Sequence, residues 1–205
     1  MDKPRVTVIG AGVIGLSTAV CLLDNGYDVT VFTKDEHPAI TSSVAAAIWF
    51  PYEAAPEEKV NEWGIRTFEV YGPLSDDADT GVSFIECRWV SDHDFVRPRW
   101  SLKVGSYELL PRSRLPDGYT HGFTVRVPLI ETPVYMPYLQ RRFAREGGTT
   151  RIVADGVRSF DDGELDSIVV NCSGIGAAEL ANDPHVFPIR GQVVSVSNPG
   201  ITYAI

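Results

Sequence analysis

Arg5-Val-Thr-Val-Ile9, Gly10-Ala11-Gly12-Val13-Ile14-Gly15 and Leu16-Ser-Thr-Ala-Val-Cys-Leu-Leu23 follow one another without a break. The first run is rich in β-branched residues and reads as a strand, and the third reads as an apolar helix that Asn25-Gly26 stops. Asp28-Val-Thr-Val-Phe32 then reads as a second strand. Strand, glycine turn, helix and strand in so short a stretch make a βαβ unit. A lone G-x-G-x-x-G is a weak signal, but in this setting it marks a dinucleotide-binding turn. Gly10 permits the tight turn, Gly12 lets a pyrophosphate approach the backbone, and Gly15 lets helix and strand pack closely. The phosphates are expected on the helix N-terminus, where free N–H groups and the dipole favour negative charge.

An acid that bonds the ribose is expected at the end of the second strand. That end reads Thr33-Lys34-Asp35. Asp35 lies at the right distance and serves either the ribose or an ordinary exposed loop, while Lys34 is placed to approach a phosphate. Residues 38–52 run from small side chains into Ile48-Trp49-Phe50-Pro51-Tyr52, with no charge before Glu53. Such a stretch lets backbone lie flush against a flat ligand while aromatics exclude solvent. It also reads as a helix start capped by Ser42 or Ser43.

Composition sets the outer limits. The chain has 205 residues, 44% of them hydrophobic and 22% charged, and a formal net charge of −9. No basic surplus exists to neutralise phosphates, so nucleic acid is not an expected partner. No apolar run reaches the roughly 20 residues of a membrane span, and the glycine-interrupted opening lacks a signal-peptide cleavage pattern. Cys21, Cys87 and Cys172 sit in apolar contexts and are expected to be buried thiols of a reducing, cytoplasm-like compartment. Without a Cys-x-x-Cys and with scattered histidines, no metal site is expected.

Further along, Glu57 to Tyr71 reads as a helix and Ser75 to Asp79 as an acidic turn. Val82–Val90 and Phe123–Val127 read as strands around a loop rich in Pro, Arg and aromatics. The loop's Arg97-Pro-Arg99-Trp100 is either a carboxylate attractor or a solvated turn. Thr132-Pro133 suits a helix start, with Tyr135, Leu139 and Phe143 on one face up to Gly147-Gly148. Strands are expected at Thr150–Val153, at Asp166–Asn171 running into Cys172-Ser173-Gly174, and from Pro188 to Val196.

Taken together, four segments resemble the D-amino-acid oxidase family, which includes D-aspartate oxidase. They are Val8-Ile-Gly-Ala-Gly-Val-Ile-Gly-Leu-Ser17, Val44-Ala-Ala-Ala-Ile-Trp-Phe-Pro-Tyr52, Val170-Asn-Cys-Ser-Gly174 and Arg190-Gly-Gln192. The resemblance implies an α/β protein: a Rossmann-like FAD-binding domain with a β-rich substrate domain inserted. The expected division is 1–55 and 131–192 for the FAD-binding domain, 56–130 for the β-rich substrate-binding region, and 193–205 for the start of a return into it.

The implied cofactor is FAD. By the resemblance, Ala11 to Ile14 lie at the pyrophosphate, Lys34 and Asp35 near the adenosine ribose, and Thr41 and Ser42 at the diphosphate or ribityl chain. Ala46, Ala47 and Ile48 present backbone to the flavin ring, Val157 flanks the adenine, and Ser173 and Gly174 approach the ribityl side. Phe50 and Tyr52 are candidate substrate-wall residues. Two departures stand out: the family's acid at the second strand end appears here as Lys34-Asp35, and in the second segment Ala47 replaces a usual glycine while Phe50 makes the pocket wall more apolar. The implied chemistry is hydride transfer from the α-carbon of a D-amino acid to flavin N5, with dioxygen then giving hydrogen peroxide and the imine hydrolysing to a 2-oxo acid and ammonia.

By the resemblance, family members are well over 300 residues long, and their last third carries the arginine that clamps the substrate carboxylate and the tyrosines over the flavin. The expectation is therefore that the C-terminal part is absent, that this stretch needs that remainder, with a second chain as one option, and that no catalytic residue can be assigned within it. A peroxisomal address would sit in that remainder, and a homodimer stands as one option. Alternatives are another amine oxidase of the superfamily, of the glycine or sarcosine oxidase kind, and a non-catalytic FAD-binding fragment.

Overall fold

The computed structural model describes residues 3–45, 47–51, 55–194 and 196–205. Its strands, in chain order, are β1 (Arg5–Ile9), β2 (Asp28–Thr33), β3 (Ala47–Ile48), β4 (Val82–Ser91), β5 (Glu108–Leu109), β6 (His121–Ile130), β7 (Thr149–Ile152), β8 (Ile168–Asn171) and β9 (Tyr203–Ala204). The α-helices are α1 (Val13–Asp24), α2 (Thr41–Val44), α3 (Glu57–Leu74), α4 (Thr132–Arg145) and α5 (Ala177–Leu180). The chain forms two units, Met1–Ala45 with Thr132–Val193 and Ala46–Glu131 with Val194–Ile205.

In the first unit a four-stranded sheet runs β7-β2-β1-β8, and every pair is parallel. Val6, Thr7 and Val8 of β1 are wholly buried, which shows burial on both faces of the sheet rather than an in–out alternation. Buried Thr7 is tolerated because its hydroxyl donates to Asp166 Oδ2 and accepts the Asp166 N–H, both at 3.0 Å. Helix α1 buries Gly15, Leu16, Ala19 and Val20, and α4 buries Tyr135, Met136, Leu139 and Phe143. The two helices pack together, and a fully buried Leu, Val, Met or Phe side chain among them contributes about 1.5–3 kcal/mol of transfer free energy. Arg142 fastens them, donating to Asp24 at 2.9 Å and to Glu146 at 2.8 Å.

The second unit is built on an antiparallel pair, β4 and β6, in register from Val82 opposite Ile130 to Ser91 opposite His121. Period-two alternation places Ile85, Cys87 and Trp89 opposite Val127, Val125 and Phe123, and this face carries the core. Trp49 and Trp100 meet edge-to-face at 5.5 Å within it. β3 and β5 pair with β6, and β9 pairs in parallel with β4. Helix α3 has no fully buried residue, but Ile65, Phe68 and Tyr71 pack on the cluster and the Trp49 indole N–H donates to the Gly64 carbonyl at 2.8 Å.

Several expectations are corrected here. Residues 188–194 and 196 form no strand among the described residues, because Ile189, Val193, Val194 and Val196 are exposed with no neighbouring strand to pair their backbone. The thiols are not buried: Cys21 is exposed on the outer side of α1, and Cys87 and Cys172 are half-buried, all three being free. Ser42 and Ser43 do not cap α2, whose N-cap is Ile40 without a side-chain bond. The Thr132 hydroxyl, expected to cap α4, donates to the carbonyls of Ser43 and Ala45 and so ties α4 to α2. Of the two readings of Arg97-Pro-Arg99-Trp100 the solvated turn holds for the arginines, since Arg97 and Arg99 are both exposed. Arg97 also donates to the hydroxyl and carbonyl of Ser101 and lies 4.0 Å over the Tyr107 ring, and the departure is Trp100, which is core.

Candidate functional site

At the carboxyl ends of β1, β2 and β8 the first unit opens a cleft of about 720 Å³. Three successive strand ends supply its floor, at Ile9-Gly10, Phe32-Thr33 and Cys172, and the start of α1 supplies one wall. Ligand sites of parallel α/β sheets form at such strand ends, where neighbouring connections part to opposite sides. Residues 39–42, 155–158 and 173–176 complete the lining with Glu179 and Leu180.

The turn that enters α1 is held from three directions. Gly10 has φ +107° and its N–H donates to the Phe32 carbonyl at 2.7 Å, while the Cys172 N–H donates to the Ile9 carbonyl at 2.8 Å. A β-carbon on Gly10 would strike the Cys172 carbonyl, and one on Gly15 would overlap the Gly10 carbonyl. The Ala11 N–H donates to Thr33 Oγ1 at 3.2 Å, and the Val13 N–H to Ser42 Oγ at 3.0 Å. Ser42 therefore offers a neutral oxygen at the very N–H groups to which a phosphate oxygen would bind. No acidic side chain occupies the first turn of α1, so the positive end of its dipole is left uncompensated. These features fit a dinucleotide diphosphate.

Around the turn the lining is polar and of mixed charge. Lys34 and Arg158 supply cations, and Asp35, Asp155 and Glu179 supply carboxylates. The Ser173 hydroxyl and N–H both donate to Asn171 Oδ1, at 2.6 and 3.2 Å, which sets the bend into Gly174 at φ +60°. Burial pushes the Cys172 thiol above its ordinary pKa, against an opposing hydrogen bond with Thr18, so at neutral pH it is a neutral wall and not a thiolate. Neighbouring Ser43 is buried and its hydroxyl lies 2.9 Å from His37 Nδ1.

The structure brings together Gly10, Ala11, Gly12, Val13, Ile14, Lys34, Asp35, Thr41, Ser42, Val157, Ser173 and Gly174 on this one cleft. Gly15 lies behind the turn, packed on the Gly10 carbonyl. Ala47 and Ile48 form β3 of the second unit, and Phe50 is half-buried there with its ring 5.2 Å from Trp100. Ala46 and Tyr52 lie outside the described residues. Sequence reasoning missed Thr33, whose position as the last residue of β2 was the available signal. It also missed Asp155 and Arg158, although Asp155-Gly156, an Asp-Gly turn pair with Gly156 at φ +71°, was an available signal in the loop after β7. Among the described residues no group of three or more His, Cys, Asp or Glu is placed to hold a metal, and no helix is long and apolar enough to cross a membrane.

A family model described as FAD dependent oxidoreductase matches residues 5–203. The chain belongs to that family. Within it, the chain is 42% identical over 199 residues to a D-amino-acid oxidase of Rubrobacter xylanophilus, covering 96% of this chain and 60% of the relative. It is 33% identical over 223 residues to a human D-aspartate oxidase, covering 100% of this chain and 63% of that protein. The chain thus spans about 60% of the length of the curated relatives it matches. Among solved structures it is similar in fold to an L-amino acid deaminase from Proteus vulgaris, with a TM-score of 0.66 at 19% identity over 88% of this chain and 55% of that one. This FAD dependent oxidoreductase fold accounts for the parallel sheet and the glycine turn that borders the cleft.

Proposed function

We propose that this chain carries the FAD-binding unit and part of the substrate-binding region of an oxidase that deaminates D-amino acids. The observation that supports it most is the 42% identity with a D-amino-acid oxidase across nearly the whole chain. The cleft is consistent with it, since its residues suit the diphosphate of a dinucleotide.

In this reading the turn from Ala11 to Ile14 and the α1 dipole hold the diphosphate, and the hydroxyls of Thr41 and Ser42 add hydrogen bonds to it or to the ribityl chain. Lys34, Asp35 and Val157 surround the adenosine, and Ser173 and Gly174 meet the ribityl side. The roles of Ala46, Ala47 and Ile48 at the flavin ring and of Phe50 and Tyr52 at the substrate rest on the likeness in sequence alone. Bound FAD would supply the acceptor for hydride from the substrate α-carbon and pass the electrons to dioxygen, leaving an imine that hydrolyses to a 2-oxo acid and ammonia. The chain's own contribution is to bind, orient and exclude water. The substrate carboxylate clamp belongs, in this reading, to the part of the relatives that the chain does not span. The three free thiols suit a cytoplasmic location.

Peroxide release by the complete protein tests the proposal. D-alanine, D-phenylalanine, D-aspartate, glycine and sarcosine are offered in parallel. Turnover of a D-amino acid with equimolar ammonia is the expected result. Turnover of sarcosine or glycine with none of the D-amino acids would assign the protein to another amine oxidase class, and no turnover of any of them, with flavin bound, would leave a binding protein.

A further inference from the structure

Thr33 closes β2, and three segments of the cleft converge on it. Its hydroxyl oxygen accepts the Ala11 N–H of the glycine turn at 3.2 Å. The same hydroxyl donates to the Asp35 carbonyl at 2.7 Å, drawing in the loop that carries Lys34 and Asp35. Its own carbonyl accepts the Val153 N–H at 2.8 Å, which anchors the loop running on to Val157. Thr33 is only 6% exposed and Ala11 only 1%, so solvent cannot replace these partners.

From this convergence we infer that Thr33 is a positioning residue of the cofactor site. It fixes the spacing between the turn that would receive the diphosphate and the two loops that would receive the adenosine. The inference rests on the FAD-binding reading given above and adds to it a residue on the cleft floor whose role is to hold the surrounding segments in place. An oxygen is needed at this point because one atom must accept from Ala11 and donate to Asp35 together. Valine has the shape of threonine but can do neither, and would leave a buried N–H without a partner. Serine keeps the oxygen and loses only a methyl group.

The test is titration of FAD, and separately of ADP, into the complete apoprotein of wild type, Thr33→Val and Thr33→Ser, with dissociation constant and stoichiometry both read. Thr33→Val is expected to bind FAD and ADP about tenfold or more weakly, at unchanged stoichiometry, a shift of about 1.4 kcal/mol. Thr33→Ser is expected within about threefold of wild type. Loss of ADP binding in parallel with FAD marks the adenosine–diphosphate end, whereas misfolding would lower the stoichiometry and leave the constant unchanged. Should Thr33→Val fail to fold, the comparison passes to Thr33→Ser and Thr33→Ala, and equal binding by those two would overturn the inference. Wild-type affinity in Thr33→Val, or serine no better than valine, overturns the inference while the FAD reading stands. A wild-type protein that takes up no FAD overturns both.

Discussion

The Ser42 hydroxyl oxygen accepts the Val13 N–H at 3.0 Å, so the start of α1 is capped by a residue twenty-nine positions further along the chain. Gly12, the N-cap residue itself, has no side chain to do this. One long-range hydrogen bond thereby joins two segments of the cleft. Ser42→Ala is expected to lower stability by about 1 kcal/mol, the usual value of such a cap. Denaturant unfolding of the apoprotein reads this, and FAD should restore part of the loss if phosphate oxygens take over the freed N–H.

Gly10 sits at φ +107° against the Cys172 carbonyl. Gly10→Ala adds backbone strain of roughly 1–3 kcal/mol before any clash is counted. The variant should therefore purify without flavin or not fold at all, as its visible spectrum and circular dichroism would show. A yellow, wild-type-like Gly10→Ala protein would contradict the geometry of the turn.

The opening βαβ unit was legible because each of its signals is local: β-branched runs, a glycine triplet and an Asn-Gly stop. The α4 face of Tyr135, Leu139 and Phe143 was legible for the same reason, through helical periodicity. What escaped was decided by partners distant in sequence. The hydroxyl of Ser42 looked like a cap for its own helix, yet it serves α1, and Thr132 bonds back to Ser43 and Ala45. Thr33 gave no motif, since its value lies in meeting Ala11 and Asp35 at once. The apolar alternation after Pro188 suggested a strand, but a strand needs a neighbour and none is present among the described residues.

Cysteine labelling separates the three thiols. Cys21 is exposed, whereas burial raises the pKa of both Cys87 and Cys172. Iodoacetamide at neutral pH should modify Cys21 first, as peptide mass mapping would show. Because Cys172 lines the cleft, added FAD should slow its labelling further and leave Cys21 unaffected. Equal protection of both would argue against ligand in the cleft.

In the second unit the Glu86 carboxylate is gripped by Arg88 Nε at 2.6 Å and Arg114 Nη2 at 2.9 Å. The Arg88 hydrogen bond, followed by the charges of both arginines, holds its pKa below the ordinary value despite an opposing desolvation effect. A folded-state pKa below the unfolded one stabilises above the unfolded value and is lost as pH falls through the folded one. The stability advantage of wild type over Glu86→Gln should therefore be fully present above the ordinary carboxylate pKa and shrink as the pH falls below it. An advantage that grows on acidification would contradict the ion-pair geometry.

Trp49 is the pivot of the aromatic core, edge-on to both Phe68 and Trp100 and bonded to Gly64. Trp49→Ala should cost about 3–5 kcal/mol, and Trp49→Phe, which removes the indole N–H, should cost closer to about 1 kcal/mol plus lost volume. Urea unfolding of the two variants provides the comparison.

The central claim is that this chain holds FAD for oxidation of a D-amino acid. It is tested most directly by the visible spectrum of the complete protein under anaerobic conditions, before and after D-alanine. Bound-flavin bands that bleach with D-alanine and persist with L-alanine are the predicted result. A protein that takes up no flavin, or whose flavin bleaches with the L-isomer alone, would contradict the account.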